Sequence, residues 1–344
     1  MTKPGGKAGT SPNRRSTGKL RIGRALWYVK QRAVELRAAP LRIPMPGEGL
    51  VRTQFSAISR GTERLIFNGA ISPAEWERMR APLQEGAFPF PVKYGYCAAG
   101  VVEDGPADLV GRTVFCLHPH QDYFIAPVTM LAPVPDGVPA RRATLAANME
   151  TALNGLWDGG AGPGDRIVVV GGGVVGLLVA YLASRLPAAN VTLIDPETSR
   201  ATVARHLGIA FATPDQAPKD ADIVFHTSAT AAGLDTAIAS AGMEAAIVEM
   251  SWYGDKPVAV NLGGAFHSRR LKLISSQVGQ VSPLRRPRWT YRRRLDTALS
   301  LLQDPALDAL VANDIPFDAL PQELPKALAP GAEGLAPVIR YPSP

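Results

Sequence analysis

From Ile167 to Val170 the chain is apolar and β-branched without a break, a pattern that predicts a short strand buried on both faces. An apolar segment of helical length, Val174 to Leu186, follows across three consecutive glycines. A second strand-like run, Val191 to Ile194, closes at Asp195. Upstream the pattern is different. ALWYVK, AVELRAAPL and GEGLVRTQFSAIS read as short strands separated by turn residues such as Pro46-Gly47, and Gly111 to Pro127 reads as two strands around a His-Pro-His bend. The first convincing helix runs from Ala140 to Trp157. After Asp195 strand and helix signals alternate: Ala204 to Leu207, Ile223 to Thr227, Gly233 to Ala239, Ala246 to Met250 and Leu271 to Ser275. Arg292 to Leu302 predicts an amphipathic helix stopped near Asp304-Pro305, and the last forty or so residues hold short apolar pieces that are expected to return to the first module.

This ordering predicts an α/β chain in which an all-β, barrel-like module precedes a doubly wound parallel sheet. The expected boundaries are a basic, Gly/Pro/Ser/Thr-rich tail over 1–20, the β module over 21–143, the parallel sheet over 144–283, and a linker helix with a return segment over 284–344.

The three glycines sharpen the picture. Gly171-x-Gly173-x-x-Gly176 stands between a predicted strand and a predicted helix, and Asp195 lies 19 residues past Gly176. Gly171 permits a tight turn, Gly173 lets a pyrophosphate approach the backbone, and Gly176 lets the helix pack closely on the sheet. The amides at Val174, Val175 and Gly176 open the helix and carry its positive end, which suits the phosphates of a dinucleotide. Asp195 would accept bonds from the ribose hydroxyls, which favours NAD; Arg200, just past it, is placed to reach a 2′-phosphate, so NADP stays open.

Composition narrows the classes. Hydrophobic residues at 46% and charged residues at 19% are an ordinary globular balance over 344 residues, so a two-domain core is affordable. Two cysteines, Cys97 and Cys116, exclude a disulfide framework and a four-cysteine zinc site, and fit a reducing cytoplasm. The N-terminus lacks an apolar signal core, and the most apolar stretch is broken by its glycines, so neither secretion nor a membrane span is expected. The net charge of +7 is modest. The late arginines (Arg269, Arg270, Arg285, Arg286, Arg288, Arg292, Arg293 and Arg294) come with no nucleic-acid motif and read as a solvated helix face or the rim of a homodimer.

The layout, together with Ile58-Ser59-Arg60-Gly61-Thr62-Glu63, Gly95-Tyr96-Cys97-Ala98-Ala99-Gly100, Pro163-Gly164-Asp165 and the GGGVVG turn, resembles the medium-chain dehydrogenase/reductase superfamily over nearly the whole chain after the tail. The resemblance implies a GroES-like catalytic domain beside a Rossmann domain, and an NAD(P)-dependent oxidoreductase acting on a small-molecule alcohol or ketone. The SRGTE and GY pieces resemble most the branch containing 2-desacetyl-2-hydroxyethyl bacteriochlorophyllide a dehydrogenase. An enone or quinone-type reductase and a non-catalytic dinucleotide sensor are the rival readings.

The same resemblance locates where zinc ligands stand in zinc-dependent members. Here those positions hold Arg60, Tyr96, Cys97 and Ala147. An arginine cation repels Zn²⁺ and alanine offers no donor, so no zinc is expected. Proton handling then falls to side chains. Thr62 matches the family's proton-relay position and Tyr96 the position facing the substrate. Arg60 is expected to pair with Glu63, or to act on Tyr96 by charge. Glu150 is a candidate base on the helix leading to the nicotinamide, with Thr151 beside it as a cofactor contact, and His118 and His120 are candidate acid/base groups from the bend.

Overall fold

A computed structural model describes residues 21–343, the side chains at 312 and 313 excepted, so the tail predicted over 1–20 lies outside the described residues. The strands form three sheets. The first is antiparallel and four-stranded, built on the hairpin Arg21–Lys30 and Ala33–Leu41. The second has seven strands arranged around Glu48–Ala57, which pairs with Ala98–Asp104, Tyr123–Pro127 and Ala336–Arg340. The third is six-stranded and wholly parallel, in the order Ala210–Ala212, Asn190–Ile194, Arg166–Val170, Ala221–His226, Ala241–Glu249, Lys272–Ser275.

The apolar patterns explain the layers. Ile167 to Val170 are all buried because helices cover both faces of the parallel sheet. The helix Val174–Ala183 packs one face together with the helix Ala146–Gly159, and the helix Ala231–Ser240 covers the other. The return segment does close back on the first module: Val338 to Arg340 pair with Phe55 to Ala57.

Two helices escaped the sequence reading. Arg60–Asn68 starts inside the SRGTE motif, and Leu320–Ala327 forms despite an internal Pro325. The His-Pro-His bend lies between the strands Thr113–Cys116 and Tyr123–Pro127 as expected. Among the late arginines Arg294 departs from expectation: it is 2% exposed and points inward from the helix Tyr291–Ser300. No helix among the described residues is long and apolar enough to cross a membrane.

Candidate active site

The glycine turn sits at the C-terminal edge of the parallel sheet, at its central strand. Gly171 has φ +112°, and a Cβ there would come within 2.7 Å of both the Ser228 amide and the Thr227 hydroxyl. A Cβ on Gly176 would meet the Gly171 carbonyl at 1.9 Å, so the helix can lie this close only without one. Gly173 is the opposite case: a Cβ there would have nothing within 4 Å, so this side of the turn is open. Gly173 caps the helix Val174–Ala183 with no side-chain hydrogen bond, which leaves the first amides of that helix without a side-chain acceptor. Thr227, which the sequence reading missed, donates to the Gly171 carbonyl at 2.9 Å and stiffens the turn from the neighbouring strand.

Asp195 ends the next strand and turns back toward the glycines. Its Oδ2 accepts from the Gly172 amide at 2.6 Å and its Oδ1 from the Glu197 amide at 2.8 Å. The Arg200 stem runs alongside, 3.1 Å from where a Gly172 Cβ would be, and its Nη1 donates to the Gly334 carbonyl at 3.5 Å. Thr151, half-buried, donates back to the Ala147 carbonyl of its own helix at 2.9 Å.

On the β-module side, the Tyr96 phenol lies near the Ser59 and Thr62 hydroxyls at the start of the helix Arg60–Asn68, close enough for both to favour its charged form. Burial, reinforced by the nearby Cys97, pushes this phenol well above its ordinary value, and the two hydroxyls offset only part of that. It is therefore a neutral donor at pH 7.

The expected pairing of Arg60 with Glu63 is not what forms. Glu63 is fully buried and already saturated: it accepts from the Ser59 amide at 2.7 Å, the Tyr28 hydroxyl at 2.7 Å and His120 Nε2 at 3.0 Å. Arg60 turns the other way and donates to the carbonyls of Ala332 at 3.0 Å, Gly334 at 2.7 Å and Glu333.

The other acid/base candidates each have partners of their own. Glu150 is 5% exposed and accepts from Arg294 Nε at 2.8 Å; burial raises its carboxyl above the usual range, against the pull of Arg294. His118 stacks on Phe124 with ring centres 3.9 Å apart. Burial first, then the Lys93 cation, lowers its imidazole to about 3, so it is neutral at pH 7. His120 bonds Ser56 and Glu63, so the two histidines of the bend do not share one set of partners.

The donor set at the four metal positions does not fit zinc. Arg60 is cationic, Ala147 has no donor, and burial holds the Cys97 thiol well above its ordinary value. Among the described residues no group of three or more His, Cys, Asp or Glu is arranged to hold a metal ion.

A second polar cluster went unread in the sequence. His226 is fully buried at the end of the strand Ala221–His226; its Nδ1 meets Glu249 Oε2 at 2.7 Å and its Nε2 meets Ser228 Oγ at 2.7 Å. Tyr253 donates to the same carboxylate oxygen at 3.0 Å. Burial acts to raise the Glu249 carboxyl, but the hydrogen bonds from His226 and Ser251 prevail and hold it below its ordinary value. The parallel pairing of His226 with Glu249 creates this cluster beside Gly171, and two polar residues closing adjacent apolar strands were the available signal.

No protein-family profile matches the chain. Among curated proteins it is similar to D-guloside 3-dehydrogenase of Escherichia coli K12, 26% identical over 295 residues, with 76% of this chain and 83% of that protein covered. Among solved structures it is similar to L-idonate 5-dehydrogenase of Escherichia coli K-12, with a TM-score of 0.77, 13% identity, and 94% and 99% of the two chains covered. It is also similar to 2R,3R-butanediol dehydrogenase of Bacillus subtilis, with a TM-score of 0.74, 17% identity, and 93% and 100% covered. The strand orders and these likenesses agree: the chain has the α/β fold of the medium-chain alcohol dehydrogenases, a GroES-like β module joined to a Rossmann sheet.

Proposed function

We propose that this chain is an NAD(P)-dependent oxidoreductase of the medium-chain type that interconverts a secondary alcohol and a ketone without zinc. The observation that carries the reading is the hydroxyl set Tyr96, Thr62 and Ser59, in a β module whose Arg60 meets Arg200 of the Rossmann unit at the Gly334 carbonyl. The division into 21–143, 144–283 and 284–344 is part of the same proposal.

The open Gly173 side and the helix start without a side-chain cap fit a dinucleotide. The amides of Val174, Val175 and Gly176 would hold its phosphates, Asp195 and Arg200 would hold the ribose end, and Thr151 would flank the nicotinamide. When bound, the nicotinamide supplies the hydride donor or acceptor. The chain's own residues handle the proton. Tyr96, kept neutral by burial, donates a hydrogen bond to the substrate oxygen and steadies the negative charge that builds there during ketone reduction. In the oxidising direction the substrate hydroxyl gives its proton to the Thr62 oxygen as Thr62 hands its own to Ser59, and the part-exposed Ser59 releases its own to solvent water. Arg60, Glu150, His118 and His120 stay outside this path, because each is engaged elsewhere.

For the substrate, the similarity to a guloside dehydrogenase favours a secondary ring hydroxyl of a sugar or polyol. The SRGTE and GY pieces favour a second reading, a hydroxyethyl-bearing pigment such as a bacteriochlorophyllide. Initial rates with NAD and NADP on a panel of glycosides, polyols and a hydroxyethyl chlorin separate the two, with zinc content measured on the same preparation. Turnover of either class by metal-free protein supports the proposal. Stoichiometric zinc, or activity confined to conjugated enones, overturns it.

A further inference from the structure

The helix Arg60–Asn68 sends two arginines, one turn apart, to a single stretch of backbone. Arg64 donates to the carbonyls of Leu328 at 2.8 Å and Ala329 at 3.0 Å. Arg60 donates to those of Ala332, Glu333 and Gly334. The Rossmann unit adds a third cation, since Arg200 reaches the same Gly334 carbonyl. None of the three has an ion pair with a carboxylate among the described residues. Arg60 also keeps a buried Nε with no partner at all. Its guanidinium is held below its ordinary value, by burial first and then by the Arg64 and Arg200 charges.

The stretch they hold, 328–334, runs without helix or strand after Leu328, turns at Gly331 and Gly334 with φ near +70°, and leads into the strand Ala336–Arg340. Clustering cations is unfavourable, and neutral carbonyls answer it weakly. A phosphate offers charged, two-pronged acceptance, roughly twice as strong per bond. The Arg200 stem lies against Gly172 in the dinucleotide turn, so whatever rests on that turn is within its reach.

We propose that Arg60 and Arg200 form a phosphate clamp for the dinucleotide, and that the carbonyls of 332–334 stand in for phosphate oxygens while the site is free. The inference rests on the dinucleotide reading above and deepens it: Arg60 serves cofactor binding across the cleft, outside the chemistry. Binding draws both guanidinium groups off the strap 329–334 and loosens it, while Arg64 keeps its grip on 328–329. The phosphate concerned is either the diphosphate common to both cofactors or the 2′-phosphate of NADP.

The test is titration of the full chain with NADH, NADPH, ADP and adenosine 2′,5′-bisphosphate, together with amide hydrogen exchange over 329–334. Arg60→Ala and Arg200→Ala are each expected to weaken binding about tenfold to a hundredfold, the scale of losing a hydrogen bond to a charged group. Equal losses for NADH and NADPH assign the clamp to the diphosphate; losses confined to NADPH and the bisphosphate assign it to the 2′-phosphate. Exchange over 329–334 is expected to speed up when nucleotide saturates the wild type. Arg64→Ala is expected to speed exchange near 328–329 and leave nucleotide affinity unchanged. If wild type binds and both arginine variants bind equally well, the clamp is refuted while the dinucleotide reading survives. A wild type that binds none of the four ligands refutes both.

Discussion

Arg294 reaches 144 positions back along the chain to donate to Glu150 at 2.8 Å, and the same guanidinium also bonds Asn154 Oδ1 at 2.7 Å and the Val278 carbonyl at 2.6 Å. Both ends are nearly water-free, with side-chain exposures of 3% and 6%. This buried pair fastens the helix Tyr291–Ser300 and the segment 278–280 to the helix Ala146–Gly159. Removing one partner strands a charge, so Arg294→Ala is expected to lose about 3–5 kcal/mol in urea unfolding. Arg294→Met with Glu150→Leu is expected to recover much of it. A loss under about 1 kcal/mol for the single variant would mean that water reaches the pair.

Glu150 as a catalytic base makes a different claim from Glu150 as an anchor. As an anchor, Glu150→Gln lowers the melting temperature but leaves the pH profile of turnover in place. A base lost by that change would remove the ascending limb of the profile.

Tyr96→Phe and Thr62→Val are expected to cut turnover roughly 100-fold or more, the scale of general acid–base contributions, with little change in dinucleotide affinity. Rates within about threefold of wild type in both variants would dismiss the hydroxyl pair as the proton path.

His118 predicts a pH dependence of stability. Its imidazole falls from an ordinary 6.5 to about 3 in the folded chain, with burial the largest cause. Between those values the unfolded chain binds the proton that the folded chain refuses. The stability linked to this group is therefore whole above pH 6.5 and is lost as the pH falls toward 3. The slope is about 1.4 kcal/mol per pH unit. Urea midpoints at pH 7 and pH 5 for wild type and His118→Leu should diverge accordingly. Parallel shifts in both proteins would remove His118 as the cause.

What could be read in the residues and what could not divides along physical lines. The glycine turn was legible because a tight turn and a close helix–strand approach are backbone jobs that favour glycine, and the contacts at Gly171 and Gly176 show both. The parallel sheet was legible because strands covered on both faces are apolar without a break. The partners of charged groups were not legible. Arg60 ends on carbonyls, which no residue type announces, while Glu63 was already claimed by Tyr28 and His120. Glu150 and Arg294, like His226 and Glu249, meet only through the fold. The helix Arg60–Asn68 was hidden because it is nine residues long, has no side-chain N-cap bond and buries only Glu63, Ile66 and Phe67, too few for a periodic apolar face.

The open side of the glycine turn is where the central claim is most exposed to test. A Gly173→Asp side chain has room in the folded chain but would place a carboxylate where the diphosphate is proposed to lie. The decisive measurement is fluorescence titration of wild type and Gly173→Asp with NADH and NADPH, with the melting temperature recorded alongside. The expected result is saturable micromolar binding by wild type, and a variant that melts within a few degrees of it but binds neither nucleotide. A wild type indifferent to both nucleotides, or a variant that binds them equally well, would contradict the assignment of this turn.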